Sequence, residues 1–119
     1  MKKYTLTKEE RLKKNKEFKE VFDNQYVGYG KYMVLLYKEN DLKYPRLGVI
    51  ASKKVSKKAV ERNRAKRLLR EVFRLNKFLM KKGDYILIAK KNILSANYKE
   101  IEEDFINILK GKKLFEGKS

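Results

Sequence analysis

The most informative segment of the chain is residues 52–74, SKKVSKKAVERNRAKRLLREVFR. It holds ten lysine or arginine residues against two acidic residues, Glu61 and Glu71. Its apolar side chains recur with a helical period and share one face: Ala65, Leu68, Leu69, Val72 and Phe73. A ridge of cations, spaced by four, lies elsewhere on the helix: Arg62, Lys66, Arg70 and Arg74. The segment therefore predicts a helix with one side against a core and a cationic side facing a polyanion.

The composition predicts a single domain with a strongly basic surface. The 119 residues are 42% hydrophobic, enough for a core, and carry a formal net charge of +17. Charge of one sign repels itself in the folded state, and nucleic acid relieves that repulsion by releasing condensed counterions. An anionic membrane surface is the other general partner, but no run of about 18 apolar residues predicts a membrane span.

The chain contains neither cysteine nor histidine. It therefore has no disulfides, thiolate zinc sites or thiol nucleophiles, and it lacks the usual general base. We predict no catalytic residue in the polypeptide.

The apolar pattern predicts one α/β domain over residues 1–119, in the element order αβββαβα. This is an α+β-like two-layer sandwich with one four-stranded mixed sheet. Asn15 is the expected cap of the first helix, over residues 16–24. The other expected elements are a short strand near Gly28 and Gly30, strands over 31–38, 46–53 and 85–91, and helices over 58–80 and 98–110. We expect residues 1–14 to form a basic arm and residues 111–119 a frayed tail.

Three groups of side chains have a structural and a functional interpretation. The basic helix could be a solvated face, but its charges are too unbalanced for i,i+4 ion pairs, which favours nucleic acid. A set of aromatic residues could pack in the core or stack on the bases of a single strand: Phe18, Phe22, Tyr26, Tyr29, Tyr32 and Tyr37. Adjacent acidic residues of the last helix fan apart, so we expect a solvated face rather than a metal site: Glu102, Glu103 and Asp104.

The segment AVERNRAKRLLRE, residues 59–71, resembles the signature of the protein subunit of bacterial ribonuclease P, which is centred on an Arg-Asn-Arg triplet. The flanking segments are also similar to that family: GVIASKKV at 48–55, LKKNKEF at 12–18 and DYILIAK at 84–90. The resemblance covers roughly residues 10–110. The chain departs from the family in the loop Ser56-Lys57-Lys58, where the family commonly has a glycine, and any metal site there is left unassigned.

The resemblance implies that an RNA is the catalyst and that this chain is its basic protein subunit. The complex would remove the 5′ leader of precursor tRNA, with Mg²⁺ held mainly by RNA phosphates, and the protein alone would be inactive. We expect a set of RNA-binding residues: Lys53, Lys54, Lys57, Lys58, Arg62, Asn63, Arg64, Lys66, Arg67 and Arg70. A cleft for the leader would use Phe18, Phe22 and Tyr37, with Leu36 as the alternative to Tyr37. The family also implies a left-handed β–α–β crossover, against the general right-handed rule.

Other functions fit the sequence less well. The alternative is a non-catalytic RNA-binding protein of the ribosome or of ribosome assembly, which the same basic helix would serve. A DNA-binding helix-turn-helix is disfavoured because the basic helix lies between two strands. Membrane binding is disfavoured because the helix needs its apolar side for the core. We expect a cytoplasmic protein whose partners are the catalytic RNA and precursor tRNA.

Overall fold

The computed structural model describes residues 4–116 and has the predicted element order αβββαβα. The helices are α1 (Asn15–Asp23), α2 (Ala59–Asn76) and α3 (Tyr98–Gly111). The strands are β1 (Tyr26–Tyr29), β2 (Met33–Lys38), β3 (Arg46–Ile50) and β4 (Asp84–Ala89). Short 3₁₀ turns occur at Lys8–Glu10, Lys77–Leu79 and Lys91–Ser95.

The four strands form one mixed sheet, as predicted, and the strand order is β1-β2-β4-β3. β1 pairs with β2 and β2 with β4 in antiparallel orientation, whereas β3 and β4 are parallel. The central place of β4 explains its continuous apolar sequence, because both of its faces are covered. The parallel pair is joined through α2, and the left-handed sense of that crossover stays a prediction.

Alternation along the strands divides the sheet into two faces. Odd-numbered residues of β2, β3 and β4 face α2 and α3, and form the larger core with Leu69, Phe73 and Phe105. Even-numbered residues face α1 and form a smaller cluster around Val21, Leu36 and Ile86. We call these the closed face and the α1 face.

Two of the differences between predicted and observed helix boundaries are associated with side-chain hydrogen bonds. Lys14 rather than Asn15 is the N-cap of α1, because the Glu17 carboxylate accepts hydrogen bonds from the backbone N–H groups of Lys13 and Lys14. The predicted helix 58–80 ends at Asn76, whose side-chain amide donates to the Val72 carbonyl at 2.8 Å. A side-chain donor on that carbonyl competes with continuation of the helical ladder.

The predictions of a basic arm and of a frayed tail were wrong for the described residues. Leu12 is buried and its N–H donates to the Leu47 carbonyl at 2.8 Å, which extends the edge of β3. Leu114 is buried, and its carbonyl accepts from the Lys81 N–H. Both ends contain isolated apolar residues whose burial depends on partners distant in the chain. Residues 1–3 and 117–119, which belong to the same two predictions, lie outside the described residues.

The predicted solvated acidic face of α3 is correct for Glu103 alone, which is exposed. The Asp104 carboxylate accepts hydrogen bonds from the backbone N–H groups of Lys31 and Tyr32, at 2.7 and 2.8 Å. Glu102 accepts from Asn76 and from the Tyr98 hydroxyl. Two of the three carboxylates therefore stabilise tertiary structure.

Candidate RNA-binding surface

Helix α2 separates its apolar and cationic sides as predicted. Ala65, Leu69, Val72 and Phe73 are buried against the sheet. Of the predicted RNA-binding residues on this helix, Asn63, Arg64 and Arg67 are exposed, whereas Lys66 and Arg70 are half-buried. Half-burial of a long basic side chain covers its aliphatic stem while the charged end reaches solvent. The helix thus presents a cationic surface on a rigid base.

Arg62 has a different environment from the one expected of it. Its guanidinium turns back and donates hydrogen bonds to the carbonyls of Ser56 and Lys57, at 3.0 and 2.9 Å. The Ser56 hydroxyl bonds to the Glu61 carboxylate in addition. Arg62 therefore holds the loop that precedes α2, and it is not the free surface cation that the sequence predicted.

The loop held by Arg62 is the one in which the chain departs from the family. Val55 anchors it in the core. The four predicted lysines of the loop are exposed around that anchor: Lys53, Lys54, Lys57 and Lys58. The loop therefore adds positive charge next to the start of α2.

The structure adds a basic residue that sequence analysis did not single out. Arg11 lines a hollow of about 450 Å³ together with Arg67, Arg70 and Arg74 of α2. Arg11 and Arg70 also line a smaller adjoining hollow of about 140 Å³ that includes Phe18. The basic side of α2 is thus continuous with the α1 face. Arg11 is distant in sequence from α2, so only the fold brings it there.

Helix α1 covers part of the sheet and leaves part of it half-exposed. Phe18 lies directly on Gly48, where a Cβ atom would approach the ring carbons Cε2 and Cζ to 2.5 Å. Phe22, one turn later, is 40% exposed. Beside the helix, Val34, Ile88 and Ile50 are half-buried. An apolar floor with an aromatic wall is suited to unstacked bases.

Tyr37 does not belong to this cleft, and its assignment was wrong. Its side chain lies on the closed face, where its ring contacts those of Tyr26 and Tyr85 and its hydroxyl donates to the Lys82 carbonyl at 2.7 Å. Burial raises the pKa of Tyr37 to about 12. The alternative residue, Leu36, lies on the α1 face. Neighbours along a strand point to opposite faces, so an alignment offset of one residue moves the side chain across the sheet.

Arg46 links α1 to the sheet. It donates two hydrogen bonds to the Asp84 carboxylate, at 2.9 and 2.8 Å, and a third to the Glu17 carboxylate at 2.9 Å. The bonds to Asp84 raise the pKa of Arg46. Hydrogen bonds from the backbone of Lys14 and Lys13, and then the charge of Arg46, lower the pKa of Glu17. Since Glu17 precedes Phe18, this network helps to set the position of the aromatic wall.

The described residues provide neither a metal centre nor a membrane span. Within 4–116, no group of three or more acidic side chains is close enough to share a cation. No helix in that part of the chain is both long and apolar enough to cross a bilayer.

The chain is similar to known proteins along most of its length. The family model "Ribonuclease P" matches residues 6–113. A "Ribonuclease P protein component" of Syntrophus aciditrophicus is 42% identical over 102 residues, which is 85% of each chain. One from Fusobacterium nucleatum is 44% identical over 110 residues, covering 87% of this chain and 96% of the relative.

Two solved structures are similar in fold. The Thermotoga maritima RNase P protein has a TM-score of 0.76 at 33% identity, with 86% of this chain and 96% of that chain covered. A Staphylococcus aureus RNase P protein mutant, described as having defective mRNA degradation activity, has a TM-score of 0.82 at 30% identity. In that comparison 91% of this chain and 92% of the other are covered.

Proposed function

The chain belongs to the ribonuclease P protein family, and we propose that it binds the catalytic RNA through α2 and the 5′ leader of precursor tRNA through the α1 face. The family supplies the protein component of a ribonucleoprotein that processes tRNA. This favours a ribonuclease P subunit over a ribosomal or ribosome-assembly protein.

The observation that carries the proposal is the separation of two surfaces with different chemistry. The outer side of α2 offers Arg64, Arg67 and neighbouring lysines to phosphates, and arginine can bind phosphate oxygens through two parallel hydrogen bonds. The α1 face instead offers Phe18 and Phe22 beside an apolar floor, which suits a single strand. The hollow lined by Arg11 and Arg70 connects the two.

We assign the chemistry of cleavage to the RNA. Mg²⁺ prefers oxygen ligands and keeps several waters, so RNA phosphates are suitable donors. The described carboxylates do not gather into a group that could replace them. The protein would raise affinity for the precursor and lower the Mg²⁺ that the RNA needs. Bacterial tRNA maturation would place the complex in the cytoplasm.

Binding to the catalytic RNA is tested by removing charge from α2. A variant with Arg64, Lys66, Arg67 and Arg70 replaced by alanine should bind more weakly. For each RNA phosphate that the variant no longer neutralises, the slope of log K against log salt should shrink by roughly 0.7–0.9. A charge-matched control replaces four exposed lysines outside α2: Lys43, Lys82, Lys99 and Lys110. An equal loss of affinity in the control would attribute binding to net charge and contradict the assignment.

The division of labour is tested by assaying protein, catalytic RNA and their mixture separately. We expect cleavage of precursor tRNA by the RNA at high Mg²⁺, by the mixture at lower Mg²⁺, and none by the protein. An mRNA substrate is included because the mutant Staphylococcus relative is described by its defective mRNA degradation activity. Metal-dependent cleavage of either substrate by RNA-free protein would overturn the assignment of chemistry to the RNA.

A further inference from the structure

Tyr29 is the most exposed aromatic side chain among the described residues. It is 78% exposed, whereas the other exposed aromatic residues range from 36% to 45%. An exposed tyrosine is ordinary by itself. Its position in the sheet register connects it to the candidate cleft beside α1.

The register puts Tyr29 on the α1 face. Tyr29 pairs with Val34, Val34 with Ile88, and Ile88 with Ile50. Directly opposed residues in a sheet point to the same side, and Ile88 and Ile50 pack on the α1-face cluster. Tyr29 is therefore the outer end of the half-exposed floor that runs beside α1.

The backbone that carries Tyr29 is held firmly on both sides. A Cβ atom on Gly28 would come within 2.5 Å of the Ile108 side chain, so β1 lies close against α3. The Gly30 N–H donates to the Met33 carbonyl at 2.9 Å, and the Gly30 carbonyl accepts from the Lys90 ammonium at 2.6 Å. The backbone that carries the exposed ring is therefore fixed, and only the side-chain rotamer of Tyr29 remains to be ordered when a ligand binds.

We propose that Tyr29 stacks on a base of the 5′ leader and extends the leader site to the outer edge of the sheet. This inference rests on the proposed function of the α1 face. A leader bound beside α1 could reach Tyr29, because one cross-strand row runs from Ile50 to Tyr29. The nearby charge favours a nucleic-acid strand over an apolar peptide. The Lys90 ammonium donates to the carbonyl of Gly30, next to Tyr29, and a positive charge there suits phosphates.

The test uses holoenzyme reconstituted with a bacterial ribonuclease P RNA, and precursor tRNAs whose leaders lengthen by one nucleotide at a time. Affinity of the wild-type complex should rise stepwise with leader length. Tyr29→Ala should follow the wild-type curve for short leaders and lose the step at which a base first reaches Tyr29. The loss should be roughly 5- to 150-fold, the equivalent of about 1–3 kcal/mol of base–aromatic stacking. Tyr29→Phe should retain the step, whereas Tyr29→Leu should lose it.

Tyr26→Ala is the matched control, because Tyr26 lies on the same strand with its ring against Tyr37 on the closed face. It should keep every step of the leader curve, with its thermal stability measured in parallel. A wild-type curve that rises with leader length and is unchanged in Tyr29→Ala would refute the role of Tyr29 and leave the α1 cleft intact. A flat wild-type curve would instead refute leader binding itself.

Discussion

The closed face and the α1 face of the sheet differ in how completely helices cover them. On the closed face, α2 and α3 bury Phe73, Tyr85, Leu87 and Phe105 completely. On the α1 face a helix of nine residues covers the apolar row through Leu36 and Ile86. The next row, through Val34 and Ile88, stays half-exposed. Apolar surface left open at the edge of a well-formed core is typical of an interaction site. Burial on one face supplies the stability that allows the other to remain open.

The largest expected effect is the difference in stability loss between aromatic truncations on the two faces. Phe73→Ala should reduce the free energy of unfolding by about 3–5 kcal/mol, because it leaves a cavity in the closed face. Phe22→Ala should cost about 1 kcal/mol or less, because the ring is already partly in solvent. Urea unfolding measures both. Affinity for the 5′ leader should fall more in Phe22→Ala than in Phe73→Ala. Equal losses of stability in the two variants would contradict the distinction between the faces.

An intermediate effect is expected where the N-terminal segment is bound to the 3₁₀ turn Lys77–Leu79 that follows α2. The buried Lys77 ammonium donates to both Glu10 oxygens at 2.9 Å and also to the Thr5 carbonyl. Lys77→Met should cost about 3 kcal/mol, since it leaves a buried carboxylate without its cation. Amide exchange at Leu12, whose N–H bonds to Leu47, should accelerate in this variant.

The control for that prediction is the double variant Lys77→Met with Glu10→Leu. Removing both charges should restore much of the lost stability, because the cost arises from the unpaired group rather than from the missing pair. If the double variant were as unstable as the single one, packing of the segment rather than charge would hold it in place.

The smallest effect is a loss of stability in acid. Burial raises the pKa of Glu10, but hydrogen bonds from Thr7 and Lys77 outweigh it and lower the pKa from its ordinary value of 4.5. The pKa of Glu17 is lowered as well. A carboxyl whose folded pKa is depressed stabilises the fold fully above the unfolded pKa and loses that contribution as pH falls through the folded pKa.

Urea midpoints measured from neutral pH downward should therefore begin to fall below about pH 4.5. Glu17→Gln should flatten part of that fall, and it should loosen α1 more than the closed face because Glu17 accepts from Arg46 and caps the helix. An identical pH profile in Glu17→Gln would show that Glu17 contributes nothing to the acid transition.

The sequence predicted most of the fold because its strongest signals are local. The period of Ala65, Leu69, Val72 and Phe73 identifies α2 and its buried side. The alternation of Leu47 and Val49 identifies the closed side of β3. The prediction of Tyr37 in the cleft failed although the strand was correct, because a shift of one residue along a strand reverses the face.

What the sequence determined was the set of elements, the cationic side of α2 and, through the Arg-Asn-Arg signature, the family. These depend on residues a few positions apart, whose spacing is already set by helical and strand geometry. Only the tertiary structure decided that Arg62 holds a loop, that Arg11 joins the arginines of α2, and that Tyr29 ends the floor beside α1. The physical reason is that Arg11 and Tyr29 depend on partners from distant segments, which the packing of the sheet brings together. Arg62 depends on the path of the loop five and six residues before it, where Val55 is buried in the core.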